Sequence, residues 1–348
     1  MIEVNKRYKI GIDISGGDFA PSEIFKGVVL AKKEFCLDIV LIGSQGEIIK
    51  EAEKEKVDLS NFEIVDAPEK IGMNDEGAMS VRRKKQSSIV IGAKLLKERK
   101  IDAFVSCGNT GAVVSAASIM VGLIEGVERP GIAVLLPNFK GVSLVIDVGA
   151  NINPKPLHLL QYGIMATLYY EVVFNKHSPT VGLLNIGEEE SKGSEFIKIA
   201  HRLFSSSSLN FIGNVEAKEV FSGTCDCIVC DGLVGNIALK VSEGVAEMTA
   251  KFLIDAIKKD FLGKLGILFI KKSLNKLRRF TDYAEYGGAP LLGVNGVVII
   301  GHGRSSRYAV KNAIKVATQE LNRQLIDTIR DKLNEICQDN RVRQVLTS

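Results

Sequence analysis

The loop at residues 301–306, with the sequence GHGRSS, has the residue types of an anion-binding site. The apolar stretch at 297–300 predicts a buried strand before it, and its serines are placed to cap a helix that begins near Tyr308. Backbone N–H groups at a helix start attract anions, and glycines leave those groups open to approach. We therefore predict that this loop holds an anion.

Five more polar loops follow apolar stretches elsewhere in the chain. They lie at 15–18, 108–111, 147–153, 185–190 and 231–236, and they are rich in Gly, Asn, Asp or Ser. Repeated units of strand, polar loop and amphipathic helix predict βαβ connections and a mostly parallel sheet. Strand-to-helix loops of such a sheet share one edge, so we expect all six loops to converge there. Turn formation alone explains any one loop well, but it explains six less well.

The predicted fold class is α/β, a three-layer α/β/α Rossmann-like arrangement forming one catalytic domain over 1–348. A length of 348 residues and 46% hydrophobic composition allow a large core. The net charge of +4 is too small to indicate nucleic acid as a partner. No apolar run is long enough to span a bilayer and no signal-peptide core is present, so we expect a cytoplasmic protein.

Four side chains suggest chemistry of their own. Cys107 precedes a predicted helix start, where a thiolate nucleophile is stabilised, but a buried structural thiol is the commoner role. His302 suits a general acid or base as well as a hydrogen-bonding loop residue. Cys227 and Cys230 have C-x-x-C spacing, yet residues three apart on a strand face opposite sides. We therefore predict no metal site.

Two basic segments are candidate docking surfaces. Residues 82–85 (RRKK) are expected to open a helix, and they suit a phosphate or an acidic protein partner. Residues 261–280 contain six cationic residues and no acidic one, within a basic amphipathic helical segment at about 245–285. That segment fits an anionic membrane surface, and it fits equally well a helix packed on the core or on a dimer partner.

A series of long motifs follows in order along the chain from about Ile10 to about Thr318. They include IDISGGDFAPSEIFKG, SVRRKKQSS, SCGNTGA, RPGIAVLLP, DVGANINPKPLHLLQYG, LLNIGEEESKGSE, CDGLVGNIALKVSEG and YGGAPLLGVNGVVIIGHGRSS. Together they resemble the bacterial phosphate acyltransferases of phospholipid synthesis, the PlsX family. The chain departs from the family pattern at Ile14 and Ser15, and at Cys107, where the family often has Ala.

The resemblance implies that an acyl group passes from long-chain acyl-(acyl carrier protein) to inorganic phosphate, giving acyl phosphate for a membrane-bound glycerol-3-phosphate acyltransferase. It also implies a fold like the isocitrate and isopropylmalate dehydrogenases, with a protruding helical hairpin near 242–286. A homodimer without cofactor, peripherally associated with the inner face of the cell membrane, is expected as well.

Phosphate is already a nucleophile, so such a protein mainly has to position it and stabilise an oxyanion. Candidate catalytic residues are His302, Asn109, Thr110, Asn185 and Asp231. Candidate substrate or phosphate ligands are Gly16, Gly17, Asp18, Gly108, Gly111, Asp147, Asn151, Lys155, Asn236, Gly301, Gly303, Arg304 and Ser305. Candidate contacts with carrier protein or membrane are Arg82, Arg83, Lys84, Lys85, Lys264, Leu268, Lys271, Lys272 and Arg278.

Two alternatives remain open from the sequence. A dehydrogenase on the same fold would need a nicotinamide site, and the chain has neither a complete G-x-G-x-x-G nor G-x-x-x-x-G-K-[ST]. A noncatalytic lipid- or fatty-acid-binding regulator would use the basic apolar segment but has no need of six polar loops.

Overall fold

The computed structural model describes residues 7–259 and 287–337, which contain eleven strands. The strands are β1 (Lys9–Asp13), β2 (Asp38–Gly43), β3 (Glu63–Asp66), β4 (Ala103–Ser106), β5 (Gly131–Asn138), β6 (Gly141–Ile146), β7 (Val181–Asn185), β8 (Phe211–Glu216), β9 (Cys227–Val229), β10 (Ala289–Leu292) and β11 (Val297–Ile300). They form one sheet in the order β3-β2-β1-β4-β11-β10-β5-β6-β9-β7-β8.

Helices connect most of these strands. They are α1 (Ser22–Glu34), α2 (Gln45–Glu55), α3 (Gly77–Arg83), α4 (Ser88–Lys97), α5 (Thr110–Ala116), α6 (Pro156–Phe174), α7 (Glu195–Ser206), α8 (Gly232–Lys259), α9 (Arg307–Asn322) and α10 (Leu325–Cys337). Short 3-10 turns at Leu59–Asn61 and Ala217–Phe221 and a π-helical turn at Ala117–Val121 complete the described part.

Strand direction reverses between the two halves of the sheet. β1, β2, β3, β4 and β11 are parallel to one another, and β6, β7, β8 and β9 form a second parallel set. β10 joins the sets by pairing antiparallel with β11 through its first two residues and with β5 through its last two. Because β5 in turn pairs antiparallel with β6, the second set runs opposite to the first.

The reversal divides the six polar loops into two groups, where the sequence predicts a single parallel sheet edge for all of them. Loops 15–18, 108–111 and 301–306 follow β1, β4 and β11 at one edge of the sheet. Loops 147–153, 185–190 and 231–236 follow β6, β7 and β9 and leave their half-sheet in the opposite direction. The register Ala289–Ile300, Leu291–Ile132 and Ala133–Ile146 places the end of β6 level with the end of β11 along the strands, so the two groups leave from the same level of the sheet.

The sheet is buried on both faces, which confirms the predicted three-layer α/β class. In β11, Val297 and Ile299 pack in the core under α1, α2 and α9, whereas Val298 and Ile300 pack in the core under α4 and α5. A third core lies between the second half-sheet and α6, α7 and α10. A strand covered on both faces has no polar side, which explains the continuous apolar run VVII.

α8 begins in the 231–236 loop and continues to Lys259, so helix occupies the first part of the predicted basic segment. The predicted hairpin and its candidate contact residues Lys264, Leu268, Lys271, Lys272 and Arg278 lie outside the described residues. None of the helices in 7–259 and 287–337 combines the length and the apolar character that crossing a membrane requires.

Glu320 is a buried carboxyl in the packing of α9. Glu320 is 3% exposed, and within the described ranges its Oε1 atom has no hydrogen-bond partner. Burial disfavours the charged form and raises the pKa of this carboxyl from 4.5 to about 8. Since the folded pKa exceeds the unfolded one, the folded state retains a proton that the unfolded state releases between these values.

Glu320→Gln is expected to stabilise the protein more at pH 8 than at pH 5. Wild-type stability falls as pH rises from 4.5 towards 8, by at most about 1.4 kcal/mol per pH unit, and glutamine removes that loss. Urea unfolding at several pH values measures the difference, with Glu53→Gln on the exposed face of α2 as the control. A difference that does not change with pH would contradict the assignment.

Candidate functional site

Three predicted loops and one further segment, 72–77, meet around the buried Asp13. We call them the Asp13 cluster: residues 15–18, 72–77, 107–111 and 301–306. The Asp13 carboxylate accepts hydrogen bonds from Ser106 Oγ at 2.6 Å and from the Ser15 amide at 3.1 Å. Burial raises the pKa of Asp13, and these hydrogen bonds offset part of that rise because they stabilise the charged form. Asp18 N donates to Gly303 O at 2.7 Å, which joins the first loop to the last.

Gly16 and Gly17 serve this close approach of backbones. A Cβ atom at Gly16 would lie 2.7 Å from Gly108 N, and Gly17 has a φ of +107° that favours glycine. Both residues are buried, whereas Asp18 is exposed at the rim. The structure therefore assigns the two glycines to loop packing, which the prediction of direct ligand contact did not anticipate.

Asn109 has no free hydrogen-bonding group for a substrate. Its Nδ2 donates to the carbonyls of Gly72, Met73 and Asp75 at 3.3, 3.0 and 2.8 Å, and its Oδ1 accepts from Ala112 N at 2.9 Å. Both ends of the amide thus hold loops together, and the oxyanion role of Asn109 stays a prediction from the sequence. The 72–77 loop, with the sequence GMNDEG, escaped the sequence reading although it has the same turn-forming composition.

The 301–306 loop precedes α9 as predicted, but several of its amides are already engaged. Ser306 caps the helix, and its Oγ accepts from Ala309 N. Glu23 of α1 accepts from Arg307 N at 3.0 Å and also pairs with the Arg307 guanidinium at 2.6 Å. An internal carboxylate thus occupies part of the predicted anion site, because it offers the charge that a helix start attracts.

The remaining predicted residues of this cluster divide by exposure. Thr110, Gly111, His302 and Arg304 are exposed. The backbone of Gly108, Gly301, Gly303 and Ser305 shapes the cluster: the Gly108 amide donates to Ser106 Oγ at 3.1 Å, Gly301 N to Ser106 O at 2.8 Å and Ser305 N to His302 O at 2.9 Å, while Gly303 O accepts from Asp18.

Cys107 is a buried thiol beneath the Gly301 turn. It has 2% exposure, and a Cβ atom at Gly301 would collide with its Sγ atom. Burial raises the pKa of the Cys107 thiol to about 12, so the thiolate is scarce at neutral pH. Of the two roles considered for Cys107, the structure favours the structural one.

The second group of loops leaves the sheet at the edge where the buried Asp147 lies, and we call it the Asp147 cluster: residues 126–130, 147–155, 185–193 and 230–236. The Asp147 carboxylate accepts from the amides of Ile132, Gly149, Ala150 and Asn151 at 3.1, 3.0, 2.8 and 2.7 Å. Burial raises the pKa of this carboxyl and the four amides oppose it. Asp147 therefore shapes the loop, and a phosphate ligand would not share the space with its charge.

Three other predicted residues of this cluster also hold backbone. Asn151 Nδ2 donates to Pro130 O at 2.6 Å, and Asp231 Oδ1 caps α8 by accepting from the amides of Leu233 and Val234 at 3.0 and 2.9 Å. Asn185 Nδ2 donates to Lys192 O at 3.2 Å. These side chains keep the loops in place, so the predicted catalytic roles of Asp231 and Asn185 are at most indirect.

Polar groups without an internal partner remain at the same edge. Asn236 lies against Gly149, where a Cβ atom would be 3.9 Å from the Asn236 side chain. Lys155 is exposed before α6, and Lys192, which the prediction omitted, is exposed in the 185–193 loop. Among the residues that the structure describes, none of these three side chains has an assigned hydrogen bond or ion pair, so an amide and two cations are available to a ligand.

The basic residues at 82–85 end α3 and do not open the following helix. Arg82 and Arg83 lie in the last turn of α3, and α4 begins at Ser88. Lys84 Nζ pairs with Asp75 Oδ2 at 2.7 Å, so its charge is partly used inside the Asp13 cluster. Arg82, Arg83 and Lys85 remain exposed.

Solved structures share this arrangement of sheet and helices. A phosphotransacetylase from Streptococcus pyogenes matches with a TM-score of 0.61, covering 93% of this chain and 95% of its own, at 16% identity. A branched-chain phosphotransacylase from Enterococcus faecalis matches with a TM-score of 0.55 at 14% identity, covering 90% and 99%. At such identities the likeness establishes the fold, a Rossmann-like α/β architecture.

Sequence relatives establish the family. A family model described as fatty acid synthesis protein matches residues 8–328, and the chain belongs to that family. A phosphate acyltransferase of Pelotomaculum thermopropionicum is 45% identical over 328 residues, 94% of this chain and 96% of the relative. One from Aquifex aeolicus is 44% identical over 315 residues, 90% and 93%. The chain is therefore a phosphate acyltransferase of fatty acid and phospholipid synthesis, which confirms the resemblance seen in the motifs.

Cys107→Ala is expected to leave the acyl-transfer rate within about threefold of wild type, because a buried neutral thiol takes no part in the reaction. Brief alkylation of the folded protein should modify the exposed Cys36 and spare Cys107, as measured by mass spectrometry of peptides. A variant that folds but loses transfer activity would restore the nucleophile hypothesis.

Proposed function

We propose that the chain transfers a long-chain acyl group from the thioester of acyl carrier protein to inorganic phosphate. A phosphate oxygen forms a bond to the thioester carbonyl carbon, the C–S bond breaks, and the carrier thiol leaves with a proton. The products are acyl phosphate and free carrier protein. Inorganic phosphate is nucleophilic and the thiolate is a fair leaving group, so no covalent intermediate on the protein is needed.

The observation that supports this proposal most is the set of available donors at the Asp147 cluster. An acyl transfer to phosphate needs positive charge for the phosphate and a neutral donor for the carbonyl oxygen as it becomes an oxyanion. Lys155 and Lys192 offer the charge, and the Asn236 amide offers the donor beside a glycine that leaves room for a substrate. The Asp13 cluster has a single exposed cation in its 301–306 loop, Arg304, and many of its amides are engaged.

Each residue of the Asp147 cluster then has a separate task. Asp147, Asn151 and Asp231 hold the loops in the geometry that the reaction needs, Asn236 stabilises the oxyanion, and the lysines bind phosphate. His302 lies in the other group of loops, and it has no assigned role in this step. Solvent water supplies the proton of the carrier thiol in this proposal, since a thiolate needs little assistance at neutral pH.

Asn236→Ala is expected to lower kcat by about 100-fold, the usual loss when one oxyanion donor is removed. The assay incubates folded protein with palmitoyl-(acyl carrier protein) and phosphate and follows palmitoyl phosphate by mass spectrometry. Asn61→Ala, in the exposed turn before β3 of the other half-sheet, is the control. Absence of palmitoyl phosphate with wild-type protein would reject the proposed donor or acceptor, whereas unchanged turnover in Asn236→Ala would reject only the role of Asn236.

The carrier protein is acidic, and basic surface supports it as the partner. Arg82, Arg83 and Lys85 are exposed together at the end of α3, and further basic residues follow α8 in the sequence. Attraction between such surfaces weakens with salt. The same basic residues support peripheral contact with an anionic membrane, where a glycerol-3-phosphate acyltransferase would consume the product.

A homodimer is proposed from the exposed apolar face of α8. Val234, Ile237, Val241, Val245, Met248 and Phe252 follow one another at spacings of three and four residues and are all exposed. An apolar seam of this spacing is typical of packing against another helix. A second copy of the chain offers the matching surface, since both partners of a two-fold interface use the same face.

Val245→Glu is expected to shift the protein from dimer to monomer, because a carboxylate in an apolar interface loses its water without gaining a partner. Light scattering after size-exclusion chromatography measures the mass. Glu243→Lys, on the side of α8 opposite the seam, should leave the mass unchanged. A wild-type protein that is monomeric at micromolar concentration would reject the dimer.

A further inference from the structure

The loop at 126–130 lies beside Asp147 although no predicted site residue falls in it. It immediately precedes β5, and β5 pairs antiparallel with β6, matching Ala133 with Ile146. The start of β5 is therefore at the same edge as the end of β6, where the Asp147 loop begins. The sequence of this loop, GVERP, includes two charged side chains, Glu128 and Arg129.

Buried side chains of α6 hold this loop by its backbone. Gln161, which has 2% exposure, accepts from Glu128 N at 3.0 Å through Oε1 and donates from Nε2 to Gly126 O at 2.8 Å. Asn151 donates to Pro130 O at 2.6 Å on the other side of the loop. Burying an amide such as that of Gln161 costs free energy unless its groups are bonded, and both groups are used here on a single loop.

His158 fixes the direction of the Glu128 carboxylate. The amide of Lys155 donates to His158 Nδ1 at 3.0 Å, so that nitrogen has no proton and the ring is the neutral tautomer with hydrogen on Nε2. His158 Nε2 then donates to Glu128 Oε2 at 2.9 Å. One buried imidazole thus links the loop to the start of α6 and gives the Glu128 carboxylate a partner other than Arg129.

Arg129 is left as the charged group of the loop that faces outward. Its side chain is exposed, and within residues 7–259 and 287–337 it has no assigned ion pair. Its charge acts on the Tyr162 phenol, which accepts a hydrogen bond from Asn151 at 2.8 Å, so Arg129 belongs to the Asp147 cluster. The hydrogen bonds that hold the backbone of the loop, and the pairing of Glu128 with His158, both leave the Arg129 guanidinium available to an anion.

We propose that Arg129 binds the inorganic phosphate that attacks the acyl group, and that His158 and Gln161 position it. The inference rests on the function proposed above and names a phosphate ligand that the sequence reading missed. A guanidinium presents a planar pair of donors that matches two phosphate oxygens, which a lysine does not. Together with Lys155 and Lys192 it gives this edge three exposed cations.

Arg129→Gln is expected to raise the KM for phosphate by about 10- to 100-fold, with the KM for acyl-(acyl carrier protein) unchanged, since losing a charged hydrogen-bond pair has that effect on affinity. Arg129→Lys should recover part of the loss, because charge returns without the planar fork. Arg202→Gln, an exposed arginine of α7, is the control. An unchanged KM for phosphate would overturn the inference, and so would a rise confined to the acyl donor, which also contains a phosphate group.

Direct binding separates this inference from the proposed function. Isothermal titration with inorganic phosphate alone is expected to show heat with wild-type protein and with Arg202→Gln, and an affinity at least about tenfold weaker with Arg129→Gln. If phosphate binds through Arg129 but no acyl phosphate forms, the proposed reaction fails and the anion site stands. If acyl phosphate forms and Arg129→Gln binds phosphate normally, the reaction stands and this inference fails.

Gln161→Met tests the positioning role. Methionine keeps the volume of the side chain and removes both hydrogen bonds to the loop, so Arg129 loses its fixed location. We expect the KM for phosphate to rise by about three- to tenfold, while the KM for the acyl donor and kcat at saturating phosphate stay within about twofold. A general loss of kcat with normal phosphate affinity would assign Gln161 to folding alone.

Discussion

Three antiparallel pairings in the middle of the sheet determine where every functional loop lies. β10 pairs antiparallel with β11 and with β5, and β5 pairs antiparallel with β6, so the second half of the sheet runs against the first. Without that reversal the six polar loops would meet at one edge. With it, each half-sheet has its own buried aspartate, Asp13 or Asp147, at the end of a strand and its own ring of loops.

The two aspartates show how a loop at a sheet edge is kept in shape. Asp147 collects four backbone amides and Asp13 collects hydroxyl and amide donors, and in each case burial opposes the charge that the donors favour. A carboxylate saturated in this way organises the main chain and leaves little capacity for a substrate. The groups that meet the substrate are instead the exposed neighbours of these networks, such as Asn236, Lys155 and, in our proposal, Arg129.

The sequence was sufficient for the fold class and for the positions of the loops. An apolar run such as VVII indicates a strand buried on both faces, and the polar segment after it indicates where the strand ends. Both signals are local in the sequence. The sequence did not predict that the second half-sheet runs opposite to the first. That direction depends on the pairing of the short strand APLL with β5, which lies far away in the chain. The hydrogen-bond partners of single side chains also depend on parts of the chain that the local sequence does not show. Asn109 and Asp231 have the chemistry of catalytic groups, and only the structure shows that backbone of the 72–77 loop and of α8 uses it.

α8 joins the Asp147 cluster to a surface far from it. Its 28 residues span about 42 Å, and at its base Gly235 is so close to the Asp147 carbonyl that no side chain fits between them. The helix is thus anchored at one end in the loops that carry Asn236 and Asp231, and its outer turns expose apolar side chains. A partner that packs on the outer turns would therefore contact the same continuous helix that carries Asn236 beside Gly149.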